Sequence, residues 1–482
     1  MSDWIKALLR SCCLTITGGG MPVQRCGHQL TSKKKMERID SLVTFAKTAT
    51  PAAMSQKMFD VVSIPQSTVH ELILLLTLGG DPAQLIEDGY GERVLAERVE
   101  SGSVCAECEQ KFDAFLKYAG PIYEEMWDQT PLKISCNTPG RGVPGGVLPL
   151  CLDGGGMRGL VSVVCLLFSS RRLLGDESLP DYFDWLIGTS TGSMLALSLS
   201  QGKSLKECFF QYWDMKRKIF LDGSTMARLF GNQVTEQTRN IETILKECFP
   251  TETFHGSSRR LTVPAFDITT SPGRLFTFRN YAFDRPFGSQ LPAEQDAFFR
   301  EAARASSAAP TYFEPFHYNG RKLVDGSFVA NSPLNILWKE YDNFFKFDNK
   351  IRFHGVISIG TGEPQLTERK IKELTTFKRK AINIATVGTL ILEQCVGQDQ
   401  CIVEAASDRC GAQGIPFIRL SPVGINVRID QIDDGKLLDM IWKTLFWLYE
   451  NVNQVDKLGE LLFKLHSDPA ERGRQRRSNT IL

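Results

Sequence analysis

Three short stretches of this chain place reactive or anion-binding groups in patterns suited to nucleophilic ester chemistry. The first is GTSTG at 188–192, a G-x-S-x-G set between the apolar run FDWLIG and the helical run TGSMLALSLSQG. A serine at a strained strand-to-helix turn holds its hydroxyl clear of the backbone, and flanking glycines leave space for the attacked carbonyl. The helix that follows adds free N–H groups and a positive dipole end where negative charge develops. Ser190 is therefore the candidate nucleophile, with Gly188 and Gly192 forming its elbow. Composition alone would produce such a pentapeptide in roughly one chain in five. Its weight comes from the strand–turn–helix setting.

The second stretch, DGGGMRG at 153–159, follows the apolar run VLPLCLD and precedes LVSVVCLLFSSRRLL. Consecutive glycines let backbone N–H groups converge on one point, a nest suited to a tetrahedral oxyanion. Gly154, Gly155, Gly156 and Met157 are the candidate donors, with Arg158 as a fixed positive charge or an anchor for the loop. A nucleotide phosphate loop competes, but no Gly-Lys-Ser/Thr follows. Chance occurrence is on the order of one in ten thousand chains. The third stretch, VDGSFVANSP, places Asp325 at the end of a short apolar run. An Asp-Gly pair is by itself usually a surface turn. Beside the other two motifs, it reads as the base.

Six histidines occur: His28, His70, His255, His317, His354 and His466. The order Ser…Asp…His would leave His354 or His466 as a third member. The first sits within the apolar run RFHGVISIG and the second near the end of a helical pattern, so a Ser190–Asp325 dyad fits better.

These groups need a scaffold, and the chain carries one. Short apolar runs alternate with helical patterns after the Gly/Pro-rich linker NTPGRGVPGG, which marks an α/β domain. VLPLCLD, FDWLIG, RLTVPAFDI, KLVD and RFHGVISIG are the expected strands, and a long amphipathic helix is expected from Asp433 to about His466. The expected divisions are a mainly helical N-terminal region at 1–145, a catalytic core at 146–340, its C-terminal part at 341–467 and a basic tail at 468–482. The stretch at 69–85 could pass for one helix of an ankyrin-type repeat, but nothing recurs at a period near 33.

Composition narrows the classes. With 42% hydrophobic and 23% charged residues over 482 positions, the chain has an ordinary globular balance. The charges nearly cancel, 56 Lys+Arg against 55 Asp+Glu, so nucleic acid is not favoured as a partner. The thirteen cysteines are scattered and odd in number. Only Cys105 and Cys108 form a CxxC, and reduced, packed thiols are expected rather than a metal site. No apolar run reaches the length of a membrane span and no signal peptide is evident, so a cytoplasmic, peripherally membrane-associated protein is expected. Cys12 and Cys13 are weak candidates for palmitate.

DGGGMRG, GTSTG and VDGSFVANSP, in that order, resemble the patatin-like phospholipases, most closely the calcium-independent phospholipase A2 group. FRNYAF at 278–283, ARASSAAPTYFEP at 303–315 and IGTG at 359–362 also match. The similarity is strong over 147–333 and weaker to about 462. It implies a three-layer α/β fold with a central, mostly parallel sheet and a Ser190–Asp325 dyad. It also implies an oxyanion hole from the backbone around Gly154, Gly155, Gly156 and Met157. The expected reaction is hydrolysis of a fatty acyl ester of glycerophospholipid without calcium or a cofactor, through an acyl-enzyme. Ser327 departs from the family, which usually has Gly or Ala there. The ankyrin array common in the animal enzymes is not visible, so repeat-mediated oligomerisation does not carry over, and a homo-oligomer stays open. Rival readings are a lysophospholipase, neutral lipase or acyl-CoA thioesterase on the same dyad, or a silent lipid-binding scaffold.

A phospholipid surface is the expected partner. Phe220, Leu221, Leu229 and Phe230, around an Asp-Gly turn, are the candidate membrane contacts. The stripe Trp442, Phe446, Trp447 reads as core because helical spacing normally faces inward. TFKRKAINIATVGTLIL is a calmodulin-like segment, and the final Asn-Thr-Ile-Leu a short PDZ-type ligand.

Overall fold

The computed structural model of the chain describes residues 146–175, 178–220, 233–282, 296–347, 351–364 and 399–466. The expected N-terminal helical region with its CxxC, the calmodulin-like segment and the C-terminal tail lie outside the described residues. The chain divides into two compact units. Asp433–Tyr449, which is Asp433 and nearly all of the helix Asp434–Glu450, is the described part of the first, and the second holds the other described residues. The side chains of Trp442 and Phe446 also fall outside the description. The expected long helix is in fact two, Asp434–Glu450 and Val452–His466. Asn-Val-Asn at 451–453 joins two weak helix formers to a β-branched residue, and the Asn451 carbonyl accepts the Gln454 N–H to open a new turn.

The second unit is built on one eight-stranded sheet. Its strands are β1 (Pro149–Leu152), β2 (Trp185–Gly188), β3 (Arg260–Asp267), β4 (Arg274–Arg279), β5 (Phe316–Tyr318), β6 (Arg321–Val324), β7 (Val356–Ile359) and β8 (Phe417–Leu420). β3, β2, β1, β7 and β8 run parallel in that order, while β4 and β6 pair antiparallel with β3 and β5 with β6. β1 and β2 are buried along their whole length, as expected for parallel strands covered on both faces.

The chain leaves β1 toward β2 on one side, and β7 returns to β1's other side. The strand ends at this switch point open a crevice where ligands of α/β sheets bind. Successive side chains on β1 face opposite ways. Cys151 joins Trp185, Ile187, Trp338, Tyr341 and Phe353 in a cluster that also takes in Cys410. That cluster places two helices, Leu334–Phe347 and Asp399–Ala412, on one face of the sheet. On the other face, Gly159–Leu174 and Val452–His466 are joined by Arg172, whose Nε and Nη2 donate to the two carboxylate oxygens of Asp456 at 3.1 and 3.2 Å. The result is helix, sheet, helix.

Trp185 anchors the first cluster. Its Nε1 donates to Thr262 Oγ1 at 2.8 Å, and its ring meets Tyr281 and Phe344 edge-on, both at 5.5 Å. The indole thus buries its apolar body without orphaning its one donor.

The register of β3 is what brings distant residues together. Its pairing with β2 ends at Ile187↔Thr262, yet β3 continues to Asp267. β6 runs back along this overhang, with Asp267↔Leu323 and Phe266↔Val324 in register. The residue after Val324 therefore arrives beside the end of β2.

Candidate active site

Ser190 sits two residues past β2 with φ 52° and ψ −121°, a conformation a non-glycine residue adopts only when its surroundings hold it there. They do. The Ser190 N–H donates to Ser306 Oγ at 2.9 Å, and Ser193 Oγ donates to the Ser190 carbonyl at 2.6 Å. Thr189 Oγ1 donates to the Ala330 carbonyl at 2.6 Å. The elbow closes because Gly188 and Gly192 lack side chains. A Cβ on Gly188 would lie 2.1 Å from the Gly192 carbonyl oxygen, and one on Gly192 would lie 2.3 Å from that of Leu152. Gly192→Ala is thus expected to cost about 1–3 kcal/mol, as overpacking does. A thermal melt of the purified variant would show it, and an unchanged Tm would sink the claim.

Asp325 follows β6. Ser190 Oγ donates to Asp325 Oδ2 at 2.9 Å, and the Ser327 N–H donates to Oδ1 at 2.8 Å. The carboxyl is 2% exposed, and burial pushes its pKa from 3.8 up to about 6. The Ser327 amide and hydroxyl and the Ser190 hydroxyl oppose that rise by bonding to the charged form. Here the departure at Ser327 has a physical consequence: its hydroxyl adds a donor that Gly or Ala would not supply. Ser306 ties the two halves together. It accepts the Ser190 N–H, donates its hydroxyl to the Pro264 carbonyl at 2.6 Å, and receives the Gly326 N–H on its carbonyl at 3.1 Å.

The glycine loop departs from expectation. The Gly154 N–H donates to the Asn331 carbonyl, the Met157 N–H to Ile429 and the Arg158 N–H to Gly155. These three amides are already engaged by backbone oxygens. Of the expected donors, Gly155 and Gly156 alone keep N–H groups with no partner among the described residues. Gly156 has φ +59°, and a Cβ there would lie 2.3 Å from the Ile429 carbonyl oxygen. Gly154, Gly156 and Gly159 also satisfy the G-x-G-x-x-G spacing of dinucleotide loops. The neighbours of the loop distinguish it from one: Ser190 and Asp325 share its cleft.

The loop is fixed from β7 and β8. Asp153, 2% exposed, accepts Arg419 Nη2 at 2.5 Å, and Arg419 Nη1 donates to Ser358 Oγ at 2.7 Å. Thr361 Oγ1 donates to the Gly154 carbonyl at 2.8 Å. Nothing in the sequence marked Arg419, because its partners lie 61 and 266 positions away.

The cleft beyond Ser190 is apolar. Met194, Met215, Ile219, Phe220, Ile241 and Phe313 line it, together with Met157 and Tyr312. Phe220, expected at a membrane, packs in this wall against Tyr312 and Phe313, with ring centroids 6.1 and 6.2 Å away. Leu221, Leu229 and Phe230 lie outside the described residues. Among the described residues no histidine lines the cleft. His354 lies at the opposite end of β7, beside Gly146. No cluster of three His, Cys, Asp or Glu side chains is placed to hold a metal ion among the described residues.

A hydroxyl on a strained elbow, a buried carboxylate and a glycine loop can together attack an ester and hold the resulting oxyanion. Residues 150–338 match the family model described as patatin-like phospholipase. This segment is a patatin-like phospholipase domain. Along with its flanks, it resembles the 85/88 kDa calcium-independent phospholipase A2 of Mus musculus, 30% identical over 344 residues, 65% of this chain and 40% of that protein. The Rattus norvegicus protein of the same name is 29% identical with the same coverage. The intracellular phospholipase A2 of Caenorhabditis elegans is 27% identical over 67% of this chain and 30% of that protein. The chain therefore spans less than half the length of each of these three relatives. The patatin-like domain contains both Ser190 and Asp325, but Arg419 and Ile429, which hold its glycine loop, lie beyond its matched end.

Proposed function

We propose that the chain is a calcium-independent, phospholipase A2-type lipid acyl hydrolase. The observation that carries this reading is the 2.9 Å bond from Ser190 Oγ to a buried carboxylate, both of them lining a largely apolar cleft. Asp325 takes the Ser190 proton as Oγ attacks the ester carbonyl carbon. The oxyanion is held by the N–H groups of Gly155 and Gly156, and the proton then passes to the leaving alkoxide. The acyl-enzyme on Ser190 is hydrolysed by water, with Asp325 again as base. The apolar wall suits a fatty acyl chain. The names of the relatives support phospholipid as substrate and independence from calcium.

The site of action is a phospholipid surface, reached peripherally from the cytoplasm. No helix among the described residues is long and apolar enough to cross a membrane. Calmodulin, a PDZ partner and self-association gain no support from the described residues.

The test is release of fatty acid from mixed phospholipid vesicles in excess chelator, across pH 4.5 to 8. The carboxylate must be ionised to accept the proton, and burial holds its pKa near 6. Activity should therefore fall about tenfold per pH unit below that value and level off above it. A flat profile through pH 6 would rule out Asp325 as the base. No release from phospholipid, lysolipid, triacylglycerol or acyl-CoA would rule out the hydrolase.

A further inference from the structure

Ser307 is a polar residue in the cleft with no part in the arrangement above. It caps the C-terminus of the helix Phe299–Ser306 and lines the same cleft as Ser190, Asp325, Gly155 and Gly156. It is 5% exposed. Its backbone is fully engaged, the N–H donating to the Ala303 carbonyl at 3.0 Å and the carbonyl accepting the Ala309 N–H at 2.8 Å. Its hydroxyl oxygen is buried and has no hydrogen-bond partner among the described residues. The adjacent Ser306 hydroxyl, by contrast, both accepts and donates. A buried hydroxyl without a partner is uncommon in a folded protein and calls for a reason.

The reason lies in what the cleft receives. Its walls are apolar side chains, so an acyl chain lying along them offers Ser307 no acceptor. The polar atoms such a substrate brings to the Ser190 end are those of its ester group. Resting on the hydrolase reading, we propose that Ser307 Oγ–H donates a hydrogen bond to the reacting ester of the acyl substrate. It thereby supplements Gly155 and Gly156, which line the same cleft. The hydroxyl is left without a protein partner in the free enzyme and gains one when substrate binds. Donors fixed before the reaction in this way need no reorganisation as charge develops.

The missing partner makes the proposal testable apart from stability. Truncating a hydroxyl that bonds to nothing in the free protein removes no native interaction, whereas truncating a bonded one does. Ser307→Ala and Ser306→Ala are to be compared with wild type and Ser190→Ala, using fatty acid release from phospholipid vesicles and thermal melts of the same samples. Ser307→Ala should lower kcat/KM about 100- to 1,000-fold with Tm unchanged or slightly raised, the range expected for a lost donor to the reacting group. Ser306→Ala should lower Tm and activity together. If wild type is active and Ser307→Ala stays within about twofold of it, the proposal falls and the hydrolase reading stands. A Ser307→Ala Tm that falls in step with its activity overturns it too, since the hydroxyl would then serve the fold. If wild type releases no more than Ser190→Ala, the hydrolase reading itself fails, and the proposal with it.

Discussion

Ser190→Ala and Asp325→Asn should each lower fatty acid release by a factor on the order of 10³ or more, while the protein stays folded. The first loss follows because the hydroxyl that bonds to Asp325 and forms the acyl-enzyme is gone. For the second, Asn cannot take the Ser190 proton, although it has nearly the same shape. Its carbonyl can accept the Ser327 N–H, and the Ser190 hydroxyl can turn to accept from the amide. Stability should even improve at neutral pH. A carboxyl whose pKa is raised from 3.8 to about 6 on folding makes the native state less stable as pH rises through that window. Above it the full cost applies, roughly 3 kcal/mol at 1.36 kcal/mol per pH unit. Asp325→Asn removes that cost, so its Tm at pH 7.5 should equal or exceed that of wild type. Near-wild-type release by either variant would sink the dyad. A large drop in the Asp325→Asn melting temperature would contradict the burial argument.

Arg419→Met should strongly destabilise the protein. It leaves Asp153 buried with a charge and no counter-ion, and its second oxygen, Oδ1, already lacks a partner among the described residues. Removing one member of a buried ion pair costs about 3–5 kcal/mol. Asp153 also leads directly into the glycine loop, so release should fall further than stability alone explains. Urea unfolding of Arg419→Met and of Arg419→Met/Asp153→Asn would separate the two effects. The double variant should recover most of the stability, since no charge is stranded. A single variant within about 1 kcal/mol of wild type would show that the pair contributes little.

Much of this site was legible in the chain because its motifs are local. GTSTG and DGGGMRG each follow an apolar run that became β2 or β1, and KLVD became β6. Three strands were not foreseen. β4 begins and ends in arginine, β5 is three residues long, and β8 carries Arg419 in its interior. Their apolar signals are too short or too interrupted to register as periodicity. Ser306 lay within a stretch already matched to the family, yet its role depends on contacts 42 and 116 positions away. The engagement of Gly154 and Met157 likewise depends on Asn331 and Ile429, which sequence spacing cannot bring near. The elbow and loop were readable; the bonds that decide which amides stay open were not.

The β3 overhang bears on how this protein can change over evolutionary time. Nucleophile and base come from strands that never touch each other, each measured against the same third strand. The exposed connections between β3 and β6 can be lengthened at little geometric cost, provided that the two registers and the bonds of Ser306 to Ser190, Pro264 and Gly326 are kept. A single-residue insertion within β6, however, would flip its alternation and present Val324 or Gly326 where the carboxylate belongs. Variation should therefore accumulate in the connections and stay out of these short strands. A library of random insertions across 255–330, selected for lipid hydrolysis, would map that boundary residue by residue.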